Sequence, residues 1–129
     1  KESFIDQPSE LVAICADFLE RWSRRQWGPM GQHFMQLGFT KGSVGQLAEE
    51  AKFLYQEFRL EQWEIIRIRH VAAAIAHTDV RLTVNGELHQ TDLRWVRIDE
   101  RRTPVPEWQA GSWSLSQYGP KHFLTSGRD

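Results

Sequence analysis

The chain has a single cysteine, Cys15. One thiol cannot form an internal disulfide or supply a cysteine-based zinc motif, so the fold must be held by packing alone. A reducing, cytoplasmic compartment is the expected location. Charge of one sign is also missing: 16 Lys and Arg stand against 17 Asp and Glu, a formal net charge of -1. That balance gives no electrostatic footprint for nucleic acid or an anionic membrane, and neither is expected as a partner. No apolar run approaches the roughly 20 residues that cross a bilayer. Internal repeats, coiled-coil heptads and low-complexity tracts are absent as well. What remains is 129 residues with 40% hydrophobic and 26% charged side chains and six tryptophans. This suits one domain over residues 1–129, able to bury about two thirds of its unfolded surface. Because the first residue is Lys1 rather than Met, the chain is expected to be a processed product or a domain of something longer.

The first periodic segment predicts a helix from about Pro8 to Gln26. Leu11, Ile14, Cys15, Phe18, Leu19 and Trp22 recur at three and four, and Pro8 suits a first helical position. Cys15 falls on the buried stripe and reads as a small core residue, with no adjacent basic group to make it a thiolate. Gly28, Gly31, Gly38 and Gly42 do not follow a strand, and Pro29 removes an amide, so they read as turns rather than a phosphate loop. One or two helical turns are expected from Gln32 to Leu37. Ser43-Val44-Gly45-Gln46 has capping-box spacing before a helix whose apolar stripe is Val44, Leu47, Ala48, Ala51, Leu54, Tyr55 and Phe58.

From Glu61 the period shortens to two. Ile66, Ile68 and His70 are expected on one side of a strand, with Ile65, Arg67, Arg69 and Val71 on the other. Ala72-Ala73-Ala74 reads as a tight connection or a bulge. The strongest local signal is Asn85-Gly86, the preferred pair for a two-residue type I′ turn. Counting outward from it pairs Val84 with Glu87, Leu82 with His89, Val80 with Thr91, Thr78 with Leu93 and Ala76 with Trp95 on one face. The opposite face pairs Thr83 with Leu88, Arg81 with Gln90, Asp79 with Asp92, His77 with Arg94 and Ile75 with Val96. One face is apolar and the other charged, the pattern of a sheet covered on one side. A charged, proline-rich connection at residues 99–106 leads to a last strand from Trp108 to Tyr118.

Three passages together resemble the nuclear transport factor 2-like superfamily, with its cystatin-like α+β fold. They are Phe18-Leu19-Glu20-Arg21-Trp22, the paired strands from Ile66 to Val84, and the Gly111-Ser112-Trp113-Ser114-Leu115 ending. The long 99–106 connection departs from the pattern. The resemblance implies an α+β domain of three N-terminal helices packed on a curved antiparallel sheet of four strands or more, cone-like with a central pocket. It includes enzymes such as isomerases, dehydratases and polyketide cyclases, as well as noncatalytic modules, so it says more about fold than about role.

Two constellations follow. On the apolar face, Tyr55, Val80, Leu82, Thr91, Leu93 and Trp95 would line a pocket for a small hydrophobic ligand. An enzyme there would need a base and an opposing donor, for which His70, His89 and Tyr55 are the candidates. No Asp or Glu sits in the middle of that face. On the charged face, His77, Asp79, Arg81, Asp92 and Arg94 form a compensated cluster, either a solvated exterior or the interface of a homodimer. No cofactor and no metal is expected, because the histidine and aspartate spacing demands neither. The reading is a noncatalytic ligand-binding or protein-assembly module, with a small isomerase, dehydratase or cyclase as the alternative.

Overall fold

The computed structural model describes residues 9–35, 44–99, 103–105 and 111–124. Three helices, α1 (Ser9–Ser23), α2 (Trp27–Gly31) and α3 (Val44–Tyr55), precede the strands β1 (Leu60–Ala72), β2 (Ile75–Val84), β3 (Glu87–Ile98) and β4 (Ser112–Ser116). The strands form one antiparallel sheet in the order β1-β2-β3-β4, so every neighbour in sequence is a neighbour in space. Helices and strands are segregated along the chain, which defines an α+β protein. No helix among the described residues is long and apolar enough to cross a membrane.

The α1 stripe behaves as its spacing requires. Leu11, Cys15, Phe18, Leu19 and Trp22 are all fully buried against the sheet residues Thr78, Val80, Leu82, Leu93 and Trp95. The helix ends in a Schellman arrangement: Gln26 donates its amide to the Arg21 carbonyl at 2.9 Å and Arg25 to that of Trp22 at 2.9 Å. Arg25 occupies the left-handed position at φ 57, where glycine is the usual choice. Its side chain compensates by donating to the Gln56 carbonyl at 2.8 Å and lying over the Trp27 ring.

Two local expectations need correcting. Helical turns are expected over residues 32–37, but α2 instead occupies the Trp-Gly-Pro-Met-Gly stretch. Gln32 and His33 continue it as a hydrogen-bonded turn, Phe34 leaves it to bridge β4, and residues 36 and 37 lie outside the described residues. Pro29 is tolerated because it falls in the first turn, where its missing amide would be unpaired anyway. The chain around Phe34 docks on β4: Met35 donates to the Leu115 carbonyl at 2.9 Å and Leu115 to that of His33 at 2.7 Å. Gly31 permits this route, since a Cβ there would lie 2.6 Å from the Leu47 carbonyl oxygen. Ser43, the proposed cap, lies outside the described residues, and Phe58 falls beyond the end of α3.

The second correction concerns β1. Its register against β2 slips at Glu61, Ile66 and Val71, so each is an unpaired bulge residue. The bulge moves Ile66 off the core side, where it is 40% exposed, and leaves Ile65, Ile68 and His70 facing inward. A period-two count has no means of seeing an extra residue, which is why Ile66 was assigned to the wrong face. Ala73 and Ala74 form the tight turn that joins β1 to β2, Ala72 pairing with Ile75.

The β2–β3 hairpin follows from its turn. Asn85 and Gly86 have φ of 52 and 81, and all ten pairs from Val84↔Glu87 to Ile75↔Val96 form. Burial alternates without a break along β2. The tip is tied down as well as turned: Asn85 Oδ1 accepts from the Arg59 amide at 2.8 Å, its Nδ2 donates to the Glu57 carbonyl, and the Gly86 amide donates to Glu61. β4 is shorter than the Trp108 to Tyr118 span expected, and Trp108 lies outside the described residues. Beyond it, a 3-10 turn at Pro120–His122 brings Phe123 back against Trp22.

Candidate functional site

The inner face of the sheet carries the residues proposed as pocket walls. Tyr55, Leu82 and Trp95 are fully buried, Val80 and Leu93 are within 1% of it, and Thr91 is half-buried. Aromatic rings occupy the space between helices and sheet. Phe18 meets Trp22, Tyr55 and Trp95 at centroid distances of 6.1 to 6.2 Å, and Trp22 meets Tyr55 at 4.9 Å. Phe34 stacks on Tyr118 at 4.1 Å. T-shaped and stacked contacts of this kind add to the area that the rings bury.

With the exception of Trp113 Nε1, the buried polar side-chain atoms in this layer are used internally. Trp95 Nε1 donates to Thr78 Oγ1 at 3.0 Å, and Cys15 Sγ lies 3.4 Å from the same oxygen. Burial pushes the Cys15 thiol up to about 12, with the Thr78 contact opposing weakly, so it is no nucleophile near neutrality. Trp22 Nε1 donates to the Phe58 carbonyl at 2.8 Å. The Tyr55 hydroxyl donates to the Tyr118 carbonyl, and Tyr118 in turn donates to Glu50 at 2.8 Å. Burial, then the neighbouring Tyr118, raises Tyr55 well above its ordinary value; burial and Glu50 raise Tyr118 to about 12. Of the candidate bases, His70 is half-buried with its ring 5.9 Å from Trp113. His89 sits near the hairpin tip, 3.8 Å from the exposed Glu87 carboxylate. Among the described residues Trp113 Nε1 is the buried side-chain polar atom without a hydrogen-bond partner.

The outer face gathers charge into a network across three strands. Asp79 faces Asp92 across the hairpin, as the turn requires. Arg69 resolves the repulsion: it grips Asp79 with two hydrogen bonds, at 3.0 and 2.7 Å, and its NH2 group lies 3.8 Å from Asp92. Arg67 adds a third bond to Asp79 at 2.6 Å. His77 Nδ1 donates to Asp92, Arg81 donates to Glu64 at 2.7 Å, and Arg94 donates to Ser116 at 2.8 Å. Partial burial works against the Asp79 charge, but the bonds from Arg69 and Arg67 outweigh it and hold the carboxyl below its ordinary value. A groove of about 360 Å³ runs over this network, lined by Ile66, Arg67, Arg69, Asp79, Gln90 and Asp92.

All five outer-face candidates therefore lie together with their side chains engaged. The residues missed were Arg67 and Arg69. Their placement follows from the turn and one bulge: closing β1 to β2 through Ala73-Ala74 pairs Ala72 with Ile75, and the bulge at Val71 then sets Arg69 beside His77 and Arg67 beside Asp79. No group of three or more metal-binding side chains occurs among the described residues.

The fold class is thus an open four-stranded antiparallel sheet with helices on one face. Neither a family model nor a curated protein matches the chain.

Proposed function

We propose that the chain is a noncatalytic protein-assembly module of the nuclear transport factor 2-like type, working in the cytoplasm and joining copies of itself through the sheet. The observation that carries this reading is the inner layer: its rings pack against one another, and Cys15, Tyr55, Trp22 and Trp95 direct their polar atoms at protein partners. A small-molecule site spends such groups on its ligand. Recognition then falls to the sheet's outer side, where charged side chains are held in fixed positions by one another. Fixed charges of both signs favour one partner orientation and exclude others.

Sedimentation of the full chain through a dilution series at low and high salt tests this. A dimer that weakens with salt is expected, because exposed charges are screened within about 8 Å at physiological ionic strength. A monomer at every concentration, or saturable uptake of a hydrophobic ligand that quenches the buried tryptophans, would dispose of the reading.

A further inference from the structure

The two edges of the sheet are treated differently. β4 is paired on its outer side by residues 33–35, through the two hydrogen bonds to Leu115. β1 is the other edge and, at 13 residues, the longest strand. Among the described residues no backbone group hydrogen-bonds to its outer side. Its exposed side chains include Glu61, Glu64, Ile66, Arg67 and Val71. Exposed edges are blunted by lysine, proline, charge or bulges; β1 has neither lysine nor proline, and what interrupts its edge is the three bulges at Glu61, Ile66 and Val71.

The strand is also polar along its length in the electrical sense. Glu61 and Glu64 lie in its first half, Arg67 and Arg69 in its second. An antiparallel pairing with an identical strand brings acidic half against basic half twice, once on each side of the two-fold axis. We propose that two copies of this chain join β1 to β1 in antiparallel fashion, making one continuous eight-stranded sheet. This rests on the assembly reading above, that copies of the chain join through the sheet, and places a contact at the β1 edge in addition to the outer face.

The bulge at Ile66 restricts the register. Before it the outward residues are Gln62 and Glu64; after it they are Arg67 and Arg69. Matching outer face to outer face requires the two paired residue numbers to add to an odd sum, so the axis falls between residues rather than on one. Two central registers satisfy this. One sets Glu64 against the second copy's Arg67 and Trp63 against its Ile68; the other sets Glu64 against Arg69 and Ile65 against Ile68. In either case the charges are complementary outside and the apolar side chains meet inside, with Ile66 beside the axis.

A charge-swap experiment on the full chain tests the geometry. Glu64→Arg alone, and the double variant Arg67→Glu/Arg69→Glu alone, each place like charges opposite one another and are expected to weaken dimerisation at least about tenfold. Mixing the two variants restores both opposite pairs, so a heterodimer should form with affinity near that of the wild type. Should the arginine double variant fail to fold, Ile66→Cys gives a second measurement. Its thiol is expected to yield a covalent dimer on mild oxidation, while Cys15 stays buried and silent. A wild-type dimer indifferent to Glu64→Arg, with no Ile66→Cys crosslink, overturns the edge pairing while leaving assembly through the outer face standing. A wild-type monomer across the whole dilution series overturns both.

Discussion

The inner and outer faces of the same hairpin are built from opposite materials, and each solves a different problem. Inside, Thr78, Val80, Leu82, Leu93 and Trp95 are shielded, and their few polar atoms pair locally. Outside, His77, Asp79 and Asp92 are partly wet and satisfied by partners from another strand. The comparison teaches that stability resides on one side of the ribbon and orientation on the other. Burial is worth kilocalories per side chain, whereas exposed ion pairs are worth about 1 kcal/mol or less.

The strongest way to break the contrast is on the inner side. Trp95→Ala removes a fully buried ring that touches Phe18 and is expected to cost about 3–5 kcal/mol in urea unfolding. Next, Gly31→Ala pushes a methyl group into the α3 backbone at Leu47 and should cost about 1–3 kcal/mol. Thr78→Val keeps the shape but strands the Trp95 indole N–H, for about 1–3 kcal/mol, and exposes no new surface to a hydrophobic dye. On the outer side, Asp79→Asn is expected to cost only about 1 kcal/mol, since Arg67 is half in water.

Titration sharpens the same comparison. The Asp79 carboxyl is depressed in the folded protein, so the unfolded chain binds its proton more readily. Its contribution is complete above the ordinary value of 3.8 and is lost as pH falls through the lower folded value. The stability gap between wild type and Asp79→Asn should therefore close in acid. Cys15 behaves oppositely. Raised to about 12 in the fold, it favours the native state fully below its ordinary 9.0, and that preference is lost as pH rises toward 12. Denaturant midpoints recorded between pH 9 and 11 should fall less steeply for Cys15→Ala than for the wild type.

The hairpin was legible because its determinants are local. Asn85-Gly86 sets a turn type, the turn sets a register, and a period of two does the rest. The α1 stripe was legible for the same reason, with the period changed to 3.6. What escaped depends on distant partners. Phe34 leaves the helical turn because β4 offers backbone hydrogen bonds on either side of it, which nothing in its own neighbourhood announces. Tyr55 was legible as buried, but the carbonyl that takes its proton belongs to Tyr118, 63 positions away. On the outer face, Asp79 and Asp92 were placed by the turn, yet the arginines that reconcile them arrive through a bulge.

The bulges have a consequence for how this sheet could change shape. β1 spends 13 residues alongside the 10 of β2, a surplus of three, spaced five apart. At about 3.3 Å per residue the surplus amounts to roughly 10 Å of additional path, as a runner in the outside lane covers more ground round the same corner. Excising Ile66 would leave Ile65 directly followed by Arg67, and every later side chain would keep the side it has now. Bend in this strand is therefore adjustable one codon at a time, independently of what either surface displays.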